Sequence, residues 1–218
     1  MKCQINNKNV IHLSWDNKEQ IKAVSNLQMK LLPESILSQL GYLFLSKFYY
    51  SKLTKHELID VYLYKEKEDY VGFISCTNKP FTFMKEGLKN NFFLIISILI
   101  ISIILKPSRL LILFKFIFET RKDKLMINYQ NKYGNKMGEF LSFGVLKDYR
   151  RIIDDTEKVS IPNVLMVLVS THFRANDIKY ALLRILDTNL VAIKFYKKHS
   201  GVVFPSEKPN QVVIIIET

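Results

Sequence analysis

Three residues of NLVAIKFYKKHSGVVF (189–204) have types and spacing that could serve chemistry. Asn189, Ala192 and Tyr196 recur at three- and four-residue intervals, which places them on one stripe of an amphipathic helix. Packing alone could explain this stripe. The alternative is a ligand that lies beside the helix and faces the tyrosine hydroxyl, which can donate a hydrogen bond.

Other reactive side chains lack the spacing of a metal site or of a nucleophile with its base. We therefore predict no bound metal. Cys3 and Cys76 are too few for a disulfide framework and are typical of free thiols in a reducing compartment. The first residues, MKCQINNKNV, lack the apolar core of a signal peptide, so the sequence favours a cytoplasmic protein. The four histidines, which also lack the spacing of a metal site, are His12, His56, His172 and His199.

The composition is that of a basic globular chain. Its 218 residues suffice for one full core and contain no linker-like segment, so we predict a single domain over residues 1–218. The net charge of +12 favours an anionic partner, such as nucleic acid, a membrane surface or a phosphorylated small molecule. The basic residues are scattered and match no nucleic-acid-binding motif, so we do not expect nucleic acid to bind.

The first third of the chain predicts helices between strands. NVIHLSW (9–15) is a strand candidate, and Asp16 followed by Glu19 indicates the N-cap of a helix over about residues 17–30. Pro33 suits the first turn of a second helix. Two alternating strands around a charged turn in residues 60–78 predict a β-hairpin.

A long apolar run follows this hairpin. FFLIISILIISIIL (92–105) is shorter than the roughly 17–25 residues that a membrane-spanning helix needs. Lys106-Pro107 ends it, and SRLLILFKFIF resumes it with basic residues interspersed. We predict an apolar helical insertion at about 81–124 that does not span a bilayer. Its residues 92–118 either pack against the core or make a peripheral contact with a membrane.

Strands and helices alternate in the second half of the chain. GEFLSFGV (138–145) and IKYALLRIL (178–186) are predicted strands, each followed by a predicted helix, at 163–173 and 189–199. GVVF and QVVIIIE close the chain as strands. This β-α-β-α-β-β order predicts an α/β (α+β) sheet whose central strands are buried on both faces.

These elements resemble those of the GNAT acetyltransferase superfamily over most of the chain. LDTNLVAIKFYKKHSG resembles the family's Asn…Ala-x-x-(Phe/Leu)-Tyr…Gly helix, and GEFLSFGV resembles its central strand. LLPESILSQLGYLFLSKFYYSKL resembles the N-terminal helices of a bacterial subgroup, and VGFISCT the strand after the first hairpin. The resemblance implies a mixed central sheet flanked by helices. It also implies transfer of an acetyl group from acetyl-CoA to an amine acceptor, an amino sugar or another small molecule.

The resemblance assigns cofactor contacts to the central strand and the last helix. The backbone of Phe143, Gly144 and Val145 would pair with the pantetheine arm of acetyl-CoA like an added strand. A glycine inside a strand fits such a close approach. Asn189 matches the position that reaches the cofactor's amides, and it also suits the N-cap of the helix. Ala192 lies on the same stripe.

Two residues match the family's catalytic positions. Tyr196 matches the general acid that assists the departing thiolate of coenzyme A. With pKa values of ~8.5 for a thiol and ~10 for tyrosine, full proton transfer is uphill by roughly 2 kcal/mol, so the hydroxyl would act mainly as a hydrogen-bond donor. Glu139 matches a position used as a base, directly or through water. A core tyrosine and a solvated strand end are the alternatives.

The pyrophosphate loop departs from the family's pattern. The resemblance places it on EKVSIP (157–162), where Glu, Ser and Pro replace the basic residue and the two small residues. Proline has no amide hydrogen, so one donor at the helix start is lost. The remaining candidates for cofactor binding here are Arg150, Arg151, Ser160, Ile161 and Asn163.

Two functions therefore stay open at the level of sequence. The first is an N-acetyltransferase that uses acetyl-CoA. The alternative is a non-catalytic GNAT-like binding protein, with a peripheral membrane contact. That contact is compatible with both functions, since the run 92–118 joins apolar residues to Arg109 and Lys115.

Overall fold

A computed structural model describes residues 7–105, 107, 111–112, 128 and 131–218. The strands in these residues form one seven-stranded sheet in the order β1-β2-β3-β4-β5-β7-β6. Neighbouring strands are antiparallel, except β4 and β5, which run parallel. This confirms the predicted mixed sheet flanked by helices. The single domain stays a prediction, and Cys3, Lys106, Arg109 and Lys115 lie outside the described residues.

The bounds of the elements follow the predicted order. The strands are β1 Val10–His12, β2 Asp60–Glu66, β3 Asp69–Thr77, β4 Met137–Val145, β5 Tyr180–Leu186, β6 Val202–Pro205 and β7 Gln211–Glu217. The helices are α1 Lys18–Leu31, α2 Ile36–Leu40, α3 Tyr42–Phe44, α4 Phe83–Asn90, α5 Phe92–Leu105, α6 Ile161–Ala175 and α7 Leu190–Lys198. The predicted hairpin and the strand–helix alternation of the second half are both present.

The N-terminal helices begin later than predicted. The N-cap of α1 is Asn17, whose side-chain oxygen accepts the amide hydrogen bond of Gln20 at 3.1 Å, so the prediction of Asp16 as the cap is wrong by one residue. The cap of α2 is Ser35, so Pro33 lies before the helix rather than in its first turn. Gly41, with φ of 97°, separates α2 from α3.

After α3 the chain continues as a π-helix, Leu45–Leu53. This helix buries Phe48, Tyr49 and Tyr50 almost completely. Most π-helices are single turns, and they occur frequently at functional sites. The apolar spacing of this segment predicts a helix but does not distinguish the two helical forms.

The sheet carries helices on both faces. On one face, α6 packs with Tyr196 of α7, and the ring of its Phe173 lies 5.3 Å from the ring of Phe140 on β4. On the other face, α1 and the π-helix cover β2 and β3. Gly138 also approaches Phe173, so Glu139, which lies between two residues that face α6, points to the opposite face.

The apolar helix α5 is only partly covered. Its Ile95 and Ile98 are buried, whereas Phe93 is 84% exposed and Ile104 is 74% exposed. Among the described residues no single helix is long and apolar enough to cross a membrane. The pair α4 and α5 passes that test by length and composition, with a bend of 88° between them.

Packing of α1 on the central strand predicts the effect of one substitution. A Cβ atom at Gly144 would lie 2.9 Å from Cδ1 and 3.2 Å from Cβ of Leu31. Gly144→Ala should therefore lower the free energy of unfolding by about 1–3 kcal/mol, measured in urea, because the core becomes overpacked. In a Leu31→Ala background the same change should cost less. A variant with unchanged stability and weakened coenzyme A binding would contradict this packing explanation.

Candidate functional site

The central sheet splits between its two parallel strands. β4 and β5 pair only at Met137–Tyr180, Gly138–Ala181 and Glu139–Leu182. Beyond this point β4 continues along β3, and β5 continues along β7. The register on β3 shifts between Ser75 and Cys76, so β4 carries a bulge where the split begins. A gap between the two strands results.

The backbone of β4 presents hydrogen-bonding groups to this gap. The amide of Leu146 donates to the carbonyl of Val71, so these opposite residues form a hydrogen-bonded pair. Hydrogen-bonded and non-hydrogen-bonded pairs alternate along antiparallel strands. Val145 and Phe143 therefore lie in non-hydrogen-bonded pairs, and their N–H and C=O groups point away from β3. The backbone of Gly144 points towards β3 and does not face the gap. Of the three predicted strand residues, the structure brings two to this edge.

Tyr196 lies beside the same stretch of β4. Its ring centroid is 6.5 Å from that of Phe140 and 6.5 Å from that of Phe143. The side chain is 5% exposed, and its hydroxyl has no hydrogen-bond partner in the part of the chain that the structure describes. Burial raises the pKa of the Tyr196 hydroxyl, which keeps it protonated. The structure thus leaves this donor uncommitted next to the open edge of β4.

The start of α7 explains the Asn–Ala spacing. The side-chain oxygen of Asn189 accepts a hydrogen bond from the amide of Ala192 at 3.1 Å, so Asn189 is the N-cap of α7. Ala192 packs against the core cluster that contains α6. A contact of either residue with a cofactor stays a prediction.

Glu139 lies on the opposite face of the sheet from Tyr196 and forms an ion pair. Its Oε1 accepts a hydrogen bond from Nη1 of Arg184 on β5 at 3.0 Å. Burial raises the pKa of Glu139, while the positive charges of Arg184 and Lys208 oppose that rise. The charge of Glu139 also adds to the effect of burial in raising the pKa of Tyr49 on the π-helix. Our sequence reasoning did not identify Arg184, although an arginine inside an apolar strand was a visible signal.

The start of α6 offers few free amides. The amide of Ile161 donates to the carbonyl of Ile152 at 3.2 Å. The amides of Asn163 and Val164 both donate to the carbonyl of Ser160, at 2.8 Å and 3.0 Å. Pro162 has no amide hydrogen. The backbone amides of Ile161 and Asn163, which the resemblance assigns to phosphate binding, are therefore bonded within the chain.

The side chains near this helix start are also engaged. Asn163 donates to the hydroxyl oxygen of Ser160 at 3.0 Å, and its side-chain oxygen lies 3.0 Å from Nε2 of His199 at the end of α7. Arg150 donates from Nε to the carbonyl of Val145 at 2.9 Å, which is one of the acceptors that face the gap. Arg151 is exposed and makes no hydrogen bond or ion pair among the described residues.

Asp154 organises the loop that precedes α6. Its buried carboxylate accepts hydrogen bonds from the backbone amides of Thr156 at 2.9 Å and Glu157 at 2.7 Å. The remaining hydrogen-bond donors to this carboxylate come from the sheet edge: Asn7, Asn9 and the hydroxyl of Tyr64. Burial alone would raise the pKa of Asp154, but the hydrogen bonds together lower it to about 2.

Removal of this carboxylate should destabilise the protein. Asp154→Asn should lower the free energy of unfolding at neutral pH by about 1–3 kcal/mol, since donors lose a charged acceptor. The folded-state pKa lies below the ordinary value of 3.8, so the carboxylate's stabilisation is present above about pH 4 and is lost as the pH falls towards 2. The variant should therefore lose less stability than the wild type over that range.

The neighbouring carboxylate provides the control for this prediction. Asp155 is exposed, so Asp155→Asn removes the same charge without the buried hydrogen bonds. Denaturant unfolding at several pH values compares the two variants. Equal losses of stability in both would show that the Asp154 network does not hold the loop.

Comparison with known proteins identifies the architecture. No model of a known protein family and no curated protein sequence matches the chain. A probable acetyltransferase from Staphylococcus epidermidis has a similar structure, with a TM-score of 0.55 and 10% identity over 96% of this chain and 98% of that one.

Two further solved structures are similar over almost their full length. The PaiA N-acetyltransferase from Thermoplasma acidophilum, solved with coenzyme A, has a TM-score of 0.51 and 10% identity over 96% of this chain and 99% of that one. Ard1 from Thermoplasma volcanium has a TM-score of 0.51 and 16% identity over 96% of each chain. At such identities the likeness establishes the fold alone: the chain has the GNAT acetyltransferase fold that its sequence resemblance predicted.

Proposed function

We propose that this protein is an N-acetyltransferase that moves an acetyl group from acetyl-CoA to an amine. The observation that carries the proposal is the uncommitted Tyr196 hydroxyl beside the open edge of β4. A buried tyrosine that only fills the core usually finds a partner for its hydroxyl. Coenzyme A in the similar Thermoplasma acidophilum enzyme adds support for the cofactor class.

The residues fit one part of acetyl-CoA better than the other. The outward-facing backbone groups of Phe143 and Val145 suit the amide-bearing pantetheine arm, which would bind like an added strand. The diphosphate finds no free amides at Ile161, Asn163 or Val164, so its binding would rest on nearby basic side chains. We therefore expect only micromolar or weaker affinity for acetyl-CoA.

The proposed reaction uses the two faces of the sheet. The amine nitrogen attacks the acetyl carbonyl carbon, a C–N bond forms, and the C–S bond breaks. Glu139 takes the proton that the amine loses, and its raised pKa makes it a stronger base than an exposed carboxylate. Tyr196 donates a hydrogen bond to the departing sulfur, which leaves as the thiolate of coenzyme A and takes up a proton from water, while Glu139 returns its proton to water. The products are the acetylated amine and free coenzyme A.

Tyr196→Phe tests this proposal. The variant removes a hydroxyl without a described partner, so stability should change little, while turnover should fall by roughly 10²-fold or more. Acetyl-CoA at ~100 times its dissociation constant should still stabilise the fold by about 2.7 kcal/mol in a thermal-shift measurement. Free coenzyme A released with amine acceptors gives the rate. Intact turnover would remove Tyr196 from the mechanism.

Tyr50→Phe is a matched control. The Tyr50 hydroxyl is buried and donates to the side chain of Gln28 at 3.0 Å. Its removal should cost about 1–3 kcal/mol of stability and spare turnover per folded molecule. Tyr196→Phe should thus lower turnover and spare stability, whereas Tyr50→Phe should lower stability and spare turnover.

A non-catalytic relative is the second candidate function. The observation that favours it is the occupied amides at the start of α6. In that case neither acetyl-CoA nor coenzyme A at millimolar concentration would raise the melting temperature. A shift with either ligand favours the enzyme.

We also propose that this protein is cytoplasmic and that it contacts a membrane surface through α5. Its 14 residues are about 21 Å long, which is less than the ~30 Å hydrocarbon core of a bilayer. The exposed Phe93 and Ile104 would enter the interface, and the net charge of +12 would favour anionic lipids. The cytoplasmic location rests on the free thiol of Cys76.

Vesicles that contain phosphatidylglycerol test the membrane contact. The wild type should sediment with them and be released by high salt or carbonate, because the contact is interfacial and partly electrostatic. Phe93→Lys with Ile104→Lys should reduce binding at least tenfold. Val191→Lys, which changes an apolar residue 77% exposed on α7, should not. Release by detergent alone, or unchanged binding of the double variant, would contradict the proposal.

A further inference from the structure

We propose that the acceptor is an α-amino acid, whose amine and carboxylate are recognised together by the Glu139–Arg184 pair. The inference rests on the proposed function, since it names the substrate class of the same site. It is carried by the unused edge of the Arg184 guanidinium and by the position of the pair where β4 and β5 separate.

Within the described part of the chain, Arg184 donates a hydrogen bond from only one of its nitrogens. Nη1 donates to Glu139 at 3.0 Å. Nε is buried and has no hydrogen-bond partner among the described residues. A buried donor without a partner is unfavourable, and a ligand acceptor would relieve that cost. The edge formed by Nε and Nη2 has the geometry that binds a carboxylate through two parallel hydrogen bonds.

The pair lies at the beginning of the gap. Glu139–Leu182 is the last point at which β4 and β5 pair, and Arg184 follows two residues later on β5. Ala181 and Leu183 belong to the core on the α6 face, so Leu182 and Arg184 point to the opposite face, as Glu139 does. An amine that reaches a thioester in the gap from this face would pass the ion pair.

The surroundings favour a ligand with both charges. Arg184 donates to the Glu139 carboxylate, and the positive charges of Arg184 and Lys208 both act on it, so a ligand carboxylate would find positive charge beside the group that receives the amine. Tyr49 is 1% exposed, and its hydroxyl makes no hydrogen bond within the described chain. This hydroxyl can donate to a ligand oxygen on the π-helix side of the site.

An α-amino acid matches this arrangement. Its ammonium and carboxylate are attached to the same carbon. The ammonium can therefore contact Glu139 while the carboxylate contacts Arg184. The matching amine without a carboxylate would leave Nε of Arg184 unpaired. A site built to hydrogen-bond a group discriminates strongly against the analogue that lacks it.

Matched pairs of ligands test the inference. Leucine and isoamylamine, phenylalanine and phenethylamine, and tyrosine and tyramine each differ by one carboxylate. Calorimetry with the full chain and excess coenzyme A measures binding without turnover. We expect at least one amino acid of a complete standard set to bind, and at least tenfold more tightly than its amine. Equal or tighter binding of the amines, or no binding by any amino acid, would overturn the inference.

Variants of Arg184 assign the discrimination to its side chain. Arg184→Gln should bring the affinities of each pair within about threefold and leave coenzyme A affinity unchanged. Arg184→Lys keeps the charge beside Glu139 but lacks the bidentate edge, so it should lose most of the discrimination even if the Gln variant is unstable. Arg174→Gln removes an exposed arginine on α6 and should retain it.

The outcomes separate this inference from the proposed function. Acetylation of amines without a preference for a carboxylate contradicts the inference alone. Binding of amino acids that depends on Arg184, in a chain that transfers no acetyl group, supports the inference and contradicts the proposed function. Discrimination that persists in both Arg184 variants would show that another group recognises the carboxylate.

Discussion

The rest of the structure depends on one interruption of backbone pairing, which begins just beyond the Glu139–Leu182 pair. Hydrogen-bonding groups inside a sheet are normally paired, because an unpaired buried amide or carbonyl is costly. Here two adjacent strands separate, and each keeps a different neighbour on its outer side. The separation leaves Phe143 and Val145 with groups that face a gap. A segment of extended, amide-bearing ligand can pair with them as a strand would.

The loop before α6 shows a different solution to a related problem. A helix start has unpaired amides, which often hold phosphate groups. In this chain the carbonyls of Ile152 and Ser160 take those amides, and the buried Asp154 carboxylate supplies the negative charge that orders the preceding turn. These amides therefore have hydrogen-bond partners within the chain. The same arrangement explains why we expect weak binding of the cofactor's diphosphate.

The two faces of the split sheet have distinct chemistry. The α6 face is apolar around Tyr196 and provides one uncommitted donor. The opposite face holds the Glu139–Arg184 pair and the hydroxyl of Tyr49. In the reaction that we propose, the acid near sulfur and the base near the amine would lie on different faces of the sheet, and each would have a distinct environment.

Periodicity and capping residues determined the order of elements, since these signals are local. The hairpin at 60–78 and the Asn189 cap are of this kind. The family resemblance proposed Tyr196 and Glu139 as site residues, but it did not indicate their surroundings, which come from elements distant in sequence. The Glu139–Arg184 ion pair, for example, joins positions 45 residues apart. Tertiary structure likewise decided that Gly144 accommodates α1 and that Asp154 is buried. Long-range packing and buried hydrogen bonds fix these features, and no local pattern encodes them.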